Sequence, residues 1–173
     1  MVSTSQGPMD SATFHALATF PRQLEAFYEA IPAAYKHWTP QSWEGIPSER
    51  FTAIEQACHV RDIEIDGYHL RFRRPLEEDN PTLESIDGYR LARDRHYGDA
   101  DAAEAFAAFR AARARTTEMI SGFDAAQLAR PAVFEGAPVT VRGFIHLLCS
   151  HDQQHLAGLQ WLLCRIAALP AKV

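Results

Sequence analysis

The chain is poor in the features that mark exported, membrane-embedded or nucleic-acid-binding proteins. It has only three cysteines, Cys58, Cys149 and Cys164, and none belongs to a C-x-x-C pair or a disulfide-framework spacing. A reduced, cytoplasmic protein is the expectation. Positive charge is in deficit: 17 Lys and Arg stand against 22 Asp and Glu, a formal net charge of −5 with pI near 5.9. Binding to nucleic acid or to an anionic membrane normally shows as a basic face, so neither is expected. Residues Met1 to Pro8 have no cationic start and no apolar h-region, and no signal peptide is expected. No stretch reaches the roughly 18 apolar residues of a membrane span. The longest apolar region, Val141 to Leu169, is broken by Arg142, His146, His151, His155, Gln160 and Arg165. Strand signals are almost missing as well. There is no sustained period-two alternation and no Asn-Gly or Asp-Gly pair between apolar runs, nor any internal repeat.

What the chain does have is helical periodicity in ordinary composition, 47% apolar and 23% charged over 173 residues, enough for one domain with a substantial core. The spacing of Phe14, Leu17, Leu24, Phe27 and Tyr28 predicts a helix over about 10–31, kinked or restarted at Pro21. After a loop through Trp38-Thr39-Pro40 and Gly45-Ile46-Pro47, Ser48 is the expected N-cap of a second helix ending near Arg73, before Pro75. Residues 76–99 read as an excursion with at most a short helix. A third helix is expected over about 100–121, with Phe106, Phe109 and Ile120 on one stripe and Gly122 at its end. A turn-rich stretch, 129–138, precedes a last helix capped by Thr140 and running to about Ala168. The expectation is a single all-α domain, an antiparallel four-helix bundle over 1–173 with a flexible N-terminal nine or so residues.

The last helix carries the chemistry. Its apolar stripe passes through Val141, Phe144, Leu148, His151, His155, Leu162 and Ile166, so two histidines one turn apart occupy the inward seam. Two buried imidazoles are costly without partners, and one metal ion supplies a partner to both. In the second helix His59 lies beside the stripe Phe51, Ile54, Cys58, Ile65 and Phe72, near Glu55, Asp62 and Asp66. That polar strip is either a surface face or the wall of a wet cavity, and the pattern does not choose. Asp62 is placed either to orient a ligand imidazole or to pair with Arg61 or Arg73 on the surface. Asp152 points about a hundred degrees from the histidine seam and reads as a helix-surface group. Arg113, on the Phe106–Phe109–Ile120 side, either binds a substrate carboxylate bidentately or serves as a snorkelling or ion-paired arginine. Tyr97 and Trp38 either line a pocket mouth or pack. Cys58 and Cys149 face away from the histidines and read as core cysteines. Other templates fit poorly: H-E-x-x-H needs glutamate where Asp152 stands, and no paired Glu-x-x-His is present.

With four helices, His59-Val60-Arg61-Asp62 in the second, His151-x-x-x-His155-Leu156 in the last, and Asn80-Pro81-Thr82-Leu83, Tyr97 and Phe109-Arg110-x-x-Arg113 between them, the chain resembles the DinB/YfiT-like superfamily. The resemblance covers most of the sequence. It implies that His59, His151 and His155 bind one divalent metal at one end of the bundle, with water completing the shell. It further implies a small-molecule substrate, possible use of a low-molecular-weight thiol, and a homodimer. Such a metal can generate hydroxide or thiolate near neutral pH, giving hydrolysis or S-transfer. Imidazole ligands suit zinc, nickel and iron alike. The alternative is a metal- or ligand-binding stress-response module without turnover.

Overall fold

A computed structural model describes residues 9–170. The expectation of a flexible N-terminus falls, but for Met9, outside the described residues. Helix α1 (Ser11–Ala30) starts where the Asp10 carboxylate accepts the Thr13 N–H at 2.7 Å. Pro21 does not break it. The missing proline N–H frees the Leu17 carbonyl, and that oxygen accepts Arg113 Nη1 at 2.9 Å instead.

The second helix begins later than Ser48. Glu55 reaches back to accept both the Thr52 N–H and its hydroxyl at 2.8 Å, so α2 (Ala53–Asp62) starts after Thr52. A π-helical segment (Ile63–Tyr68) then leads into α3 (His69–Glu77), which runs through Pro75. The wider π turns rotate the succeeding residues relative to an ideal α-helix. Glu64 is consequently buried at 1% exposure, while Ile65, assigned to the core stripe by α-helical spacing, stands out at 41%.

The excursion after α3 holds a two-residue strand β1 (Thr82–Leu83), helix α4 (Gly88–Asp94) capped by Asp87, and a tight turn at Tyr97–Asp99. Helix α5 (Ala102–Ser121) and the short α6 (Ala125–Leu128) lead to a hairpin of β2 (Pro131–Phe134) and β3 (Ala137–Thr140). Strand β1 pairs parallel with β2 to complete a small three-stranded sheet. The expectation of an almost strandless chain missed it. The hairpin turns on Glu135 and Gly136, with φ of 50° and 76°. Glu-Gly is outside the usual pairs for such a turn, and Pro131 and Pro138 obscure the alternation. Thr140 caps α7 (Val141–Ala167) as expected, accepting the Gly143 N–H at 3.1 Å.

The four long helical units form an all-α bundle whose order can be read from paired side chains. Phe20 meets Phe109 and Tyr28 meets Phe106, so α1 and α5 run antiparallel. Gln56 meets His155 and Tyr68 meets His151, so the second unit runs antiparallel to α7. Glu64 meets Arg113, His69 meets Thr116 and Phe72 meets Phe123, so the second unit and α5 run the same way. A link between parallel neighbours must return along the bundle, and 78–101 is that return. It packs on α2, with Gly88 against His59, and places Ser85 and Ile86 in the wall of the cavity beside the histidines.

Candidate metal centre

The structure brings all three histidines together. Nε2 of His151 lies 3.3 Å from Nε2 of His59 and 3.1 Å from Nε2 of His155. A fourth group, unsuspected from the sequence, joins them: the Glu49 carboxylate is 3.6 Å from His59 Nε2 and 3.3 Å from His155 Nε2. One donor atom from each of these four residues falls within 4.8 Å of the others. His155 is fully buried and His59 and Asp62 are each 2% exposed, so His59 faces inward.

The protonation states result from burial. It pushes the His59 imidazole down to about 4 and that of His151 down to about 3. It also holds His155 well below the ordinary histidine range, with His151 and His59 adding to the effect. At neutral pH the three rings are uncharged. Glu49 therefore forms no ion pair with them, and a cation between the four groups would complete the electrostatics.

Gln56 fixes one tautomer. Its Nε2 donates to Ser48 Oγ at 2.8 Å and faces the Glu49 and Phe51 carbonyls at 3.4 Å, which leaves Oε1 to accept from His155 Nδ1. The lone pair of His155 Nε2 then points into the cluster. Gly158 makes this possible: a Cβ there would lie 2.4 Å from Ser48 Oγ and 3.0 Å from Gln56 Nε2. Gly88 of α4 performs the same service for His59, since a Cβ at that position would come within 2.6 Å of the imidazole Cε1.

The donor set fits a divalent transition metal. Two ligands bound at about 2.0–2.1 Å are separated by roughly 2.8–3.4 Å at octahedral to tetrahedral angles, and the His151 nitrogen stands 3.1 and 3.3 Å from the other two. Protein hydrogen bonds alone leave the cluster unsatisfied. One ring N–H can serve only one of the two close nitrogen pairs, and buried His59 Nδ1 has no hydrogen-bond partner. A cavity of about 220 Å³ opens on the cluster, its wall including His59, His151, Tyr68, Arg71 and Ser85.

Several sequence-based roles do not survive. Asp62 does not orient an imidazole: its oxygens accept Arg61 Nε at 2.6 Å, Tyr97 Oη at 2.8 Å and Arg95 Nη1 at 2.8 Å. Burial alone would raise its carboxyl, and those donors hold it below the usual range. Tyr97 is 1% exposed, packed on Phe51 with its hydroxyl committed to Asp62, and does not line the cavity. Trp38 packs on Tyr35. Arg113 cannot reach a substrate. It is 2% exposed, and all five of its N–H groups are used, two on Glu64, two on Asp152 and one on the Leu17 carbonyl, at 2.7–2.9 Å. Burial favours the neutral guanidine, but the Asp152 and Glu64 charges outweigh it. Asp152 is accordingly 1% exposed and not a surface group. The cysteines are all free, with Cys58 buried and Cys149 partly so.

Of the residues missed, Gln56 left a trace, three positions before His59 and on the same helix face. Glu49 left none, because a loop has no periodicity to read. Comparison with solved structures finds YfiT from Bacillus subtilis, described as a probable metal-dependent hydrolase with an unusual four-helix bundle topology. The likeness has a TM-score of 0.80 at 20% identity and covers 96% of this chain and 91% of that one. No curated protein matches by sequence. The model of the DinB superfamily matches residues 16–159, and the chain belongs to that superfamily.

Proposed function

We propose that His59, His151, His155 and Glu49 hold one divalent transition metal (zinc, nickel or iron, between which the donors do not discriminate) and that the protein is a metal-dependent enzyme acting on a small molecule. The observation that carries this reading is the convergence of three uncharged imidazoles, with the nitrogens of His59 and His155 at 3.3 and 3.1 Å from that of His151 and a carboxylate beside them, where a cavity opens on the cluster. When bound, the metal supplies a Lewis acid that lowers the pKa of a coordinated water or thiol. The chain's own residues do the rest. Gln56 keeps the His155 proton on Nδ1, and Gly88 keeps the His59 ring in place. Glu49 completes the donor set.

The reaction is hydrolysis, or transfer of the substrate to a low-molecular-weight thiol. YfiT favours the first and the superfamily resemblance allows the second. The same reading takes the protein as a cytoplasmic homodimer, which sedimentation of the purified protein tests. For the activity, protein loaded with zinc, nickel or iron(II) is given an activated ester alone, and an electrophilic fluorophore with cysteine. Turnover of either substrate that disappears in His151→Ala supports the proposal. One metal per chain with no turnover of any such pair would instead make it a metal-binding module.

A further inference from the structure

Two arginines are buried in the described residues, and only one is neutralised. Arg113 has two carboxylates on its guanidinium. Arg71, at 5% exposure, has no ion pair with a described carboxylate. Its Cζ lies 4.7 Å from the centre of the Tyr68 ring and 4.6 Å from that of Phe134, and its side chain also hydrogen-bonds Tyr68. The Glu135 charge is felt only through space, and its Oε1 accepts the Ser85 N–H. Arginine does not deprotonate in proteins, so the cation persists with ring faces in place of an anion. Arg71 also forms part of the wall of the cavity that ends on His59, His151 and Glu49.

We propose that Arg71 is the anion-binding residue of this pocket, and that the substrate is a small carboxylic acid whose carboxylate pairs with it while the reacting group reaches the histidine cluster. A planar guanidinium without a carboxylate partner matches a carboxylate bidentately, and about 220 Å³ admits a compact molecule. The reacting end rests on the metal-site reading, whereas the carboxylate subsite is a property of the protein alone.

The test is calorimetric titration of metal-free protein with succinate and with its neutral diamide, metal-free so that a carboxylate cannot score by binding zinc. The wild type is expected to bind succinate at least 10-fold more tightly than the diamide. Arg71→Met should lose at least 10-fold in succinate affinity while keeping the zinc stoichiometry of the wild type. Arg71→Lys should retain part of the affinity, and Arg74→Met, at a neighbouring arginine bonded to Glu78 outside this cavity, all of it. Equal binding of acid and diamide by the wild type, or unchanged succinate binding in Arg71→Met, would overturn the proposal. If Arg71→Met fails to fold, the wild-type preference for acid over diamide and its weakening in Arg71→Lys decide the matter. Succinate binding by a protein that takes up no zinc would refute the metal reading and leave the subsite standing.

Discussion

His151 and Asp152 are consecutive on α7 and face opposite kinds of interior. Asp152 points toward α1 and α5, where Arg113 meets it at 2.7 and 2.9 Å and also binds Glu64. Every polar atom of that guanidinium is used by the protein itself. His151 points toward α2, where three imidazoles and a carboxylate crowd together, His59 Nδ1 has no partner and the neighbouring arginine has no carboxylate. A buried polar group without a partner is expensive. One cluster spends its polarity on holding helices together, and the other keeps it open for something the chain does not supply.

The contrast can be broken from either side. The largest effect is expected from Arg113→Met, which strands Glu64 and Asp152 in the core. Removing one partner of a buried charge network costs about 3–5 kcal/mol, and urea denaturation should show a loss of that size. A loss below about 1 kcal/mol would mean that the guanidinium does not hold the helices together. His151→Ala should do the reverse, abolishing high-affinity zinc binding while the metal-free protein keeps its stability or gains some.

Smaller changes sharpen the comparison. Gln56→Leu frees the His155 tautomer and should weaken zinc binding by about 10–100-fold, the usual range for groups that orient a ligand. Gly88→Ala, pressing on the His59 ring, should also weaken it, and a competition titration measures both.

Metal-free protein should in addition lose stability in acid. The depressed histidines stay neutral in the folded state down to about 4 for His59 and about 3 for His151. In the unfolded chain they take up protons near 6.5. As pH falls from 6.5 toward 4 the unfolded state binds more protons, so stability falls, by roughly 3 kcal/mol from His59 alone. Denaturation between pH 7 and 4, with and without zinc, measures this directly. A flat profile in the metal-free protein would contradict the burial argument. The smallest effect is expected from Asp62→Asn: stability falls but zinc affinity stays within about threefold, because Asp62 binds Tyr97, Arg61 and Arg95 and no imidazole.

The legible parts of the molecule share a physical cause. The histidine seam of α7 and its Thr140 cap were readable because they lie on one unbroken α-helix, where spacing fixes direction. Spacing puts Asp152 on the surface because α7 is buried on two sides, against α2 as well as against α1 and α5, and a single stripe describes only one. The π segment at Ile63–Tyr68 defeats spacing altogether, so α-helical periodicity puts Ile65 in the core and gives no sign of buried Glu64. The second helix begins after Thr52 and not after Ser48, and Thr52-Ala53-Ile54-Glu55 carries the capping signature. Glu49, from a loop, and Arg71, whose significance lies in the partner it lacks, are products of tertiary packing that local pattern cannot express.

His59 is the residue on which the two halves of the site depend, since it alone among the histidines comes from α2. Competition titration of the wild type and of His59→Ala with zinc tests the central claim most directly. One zinc per chain in the wild type, lost or weakened by at least about 100-fold in a variant that remains folded, is the predicted result. Zinc bound equally by both proteins, or by neither, would contradict a centre built from His59, His151, His155 and Glu49.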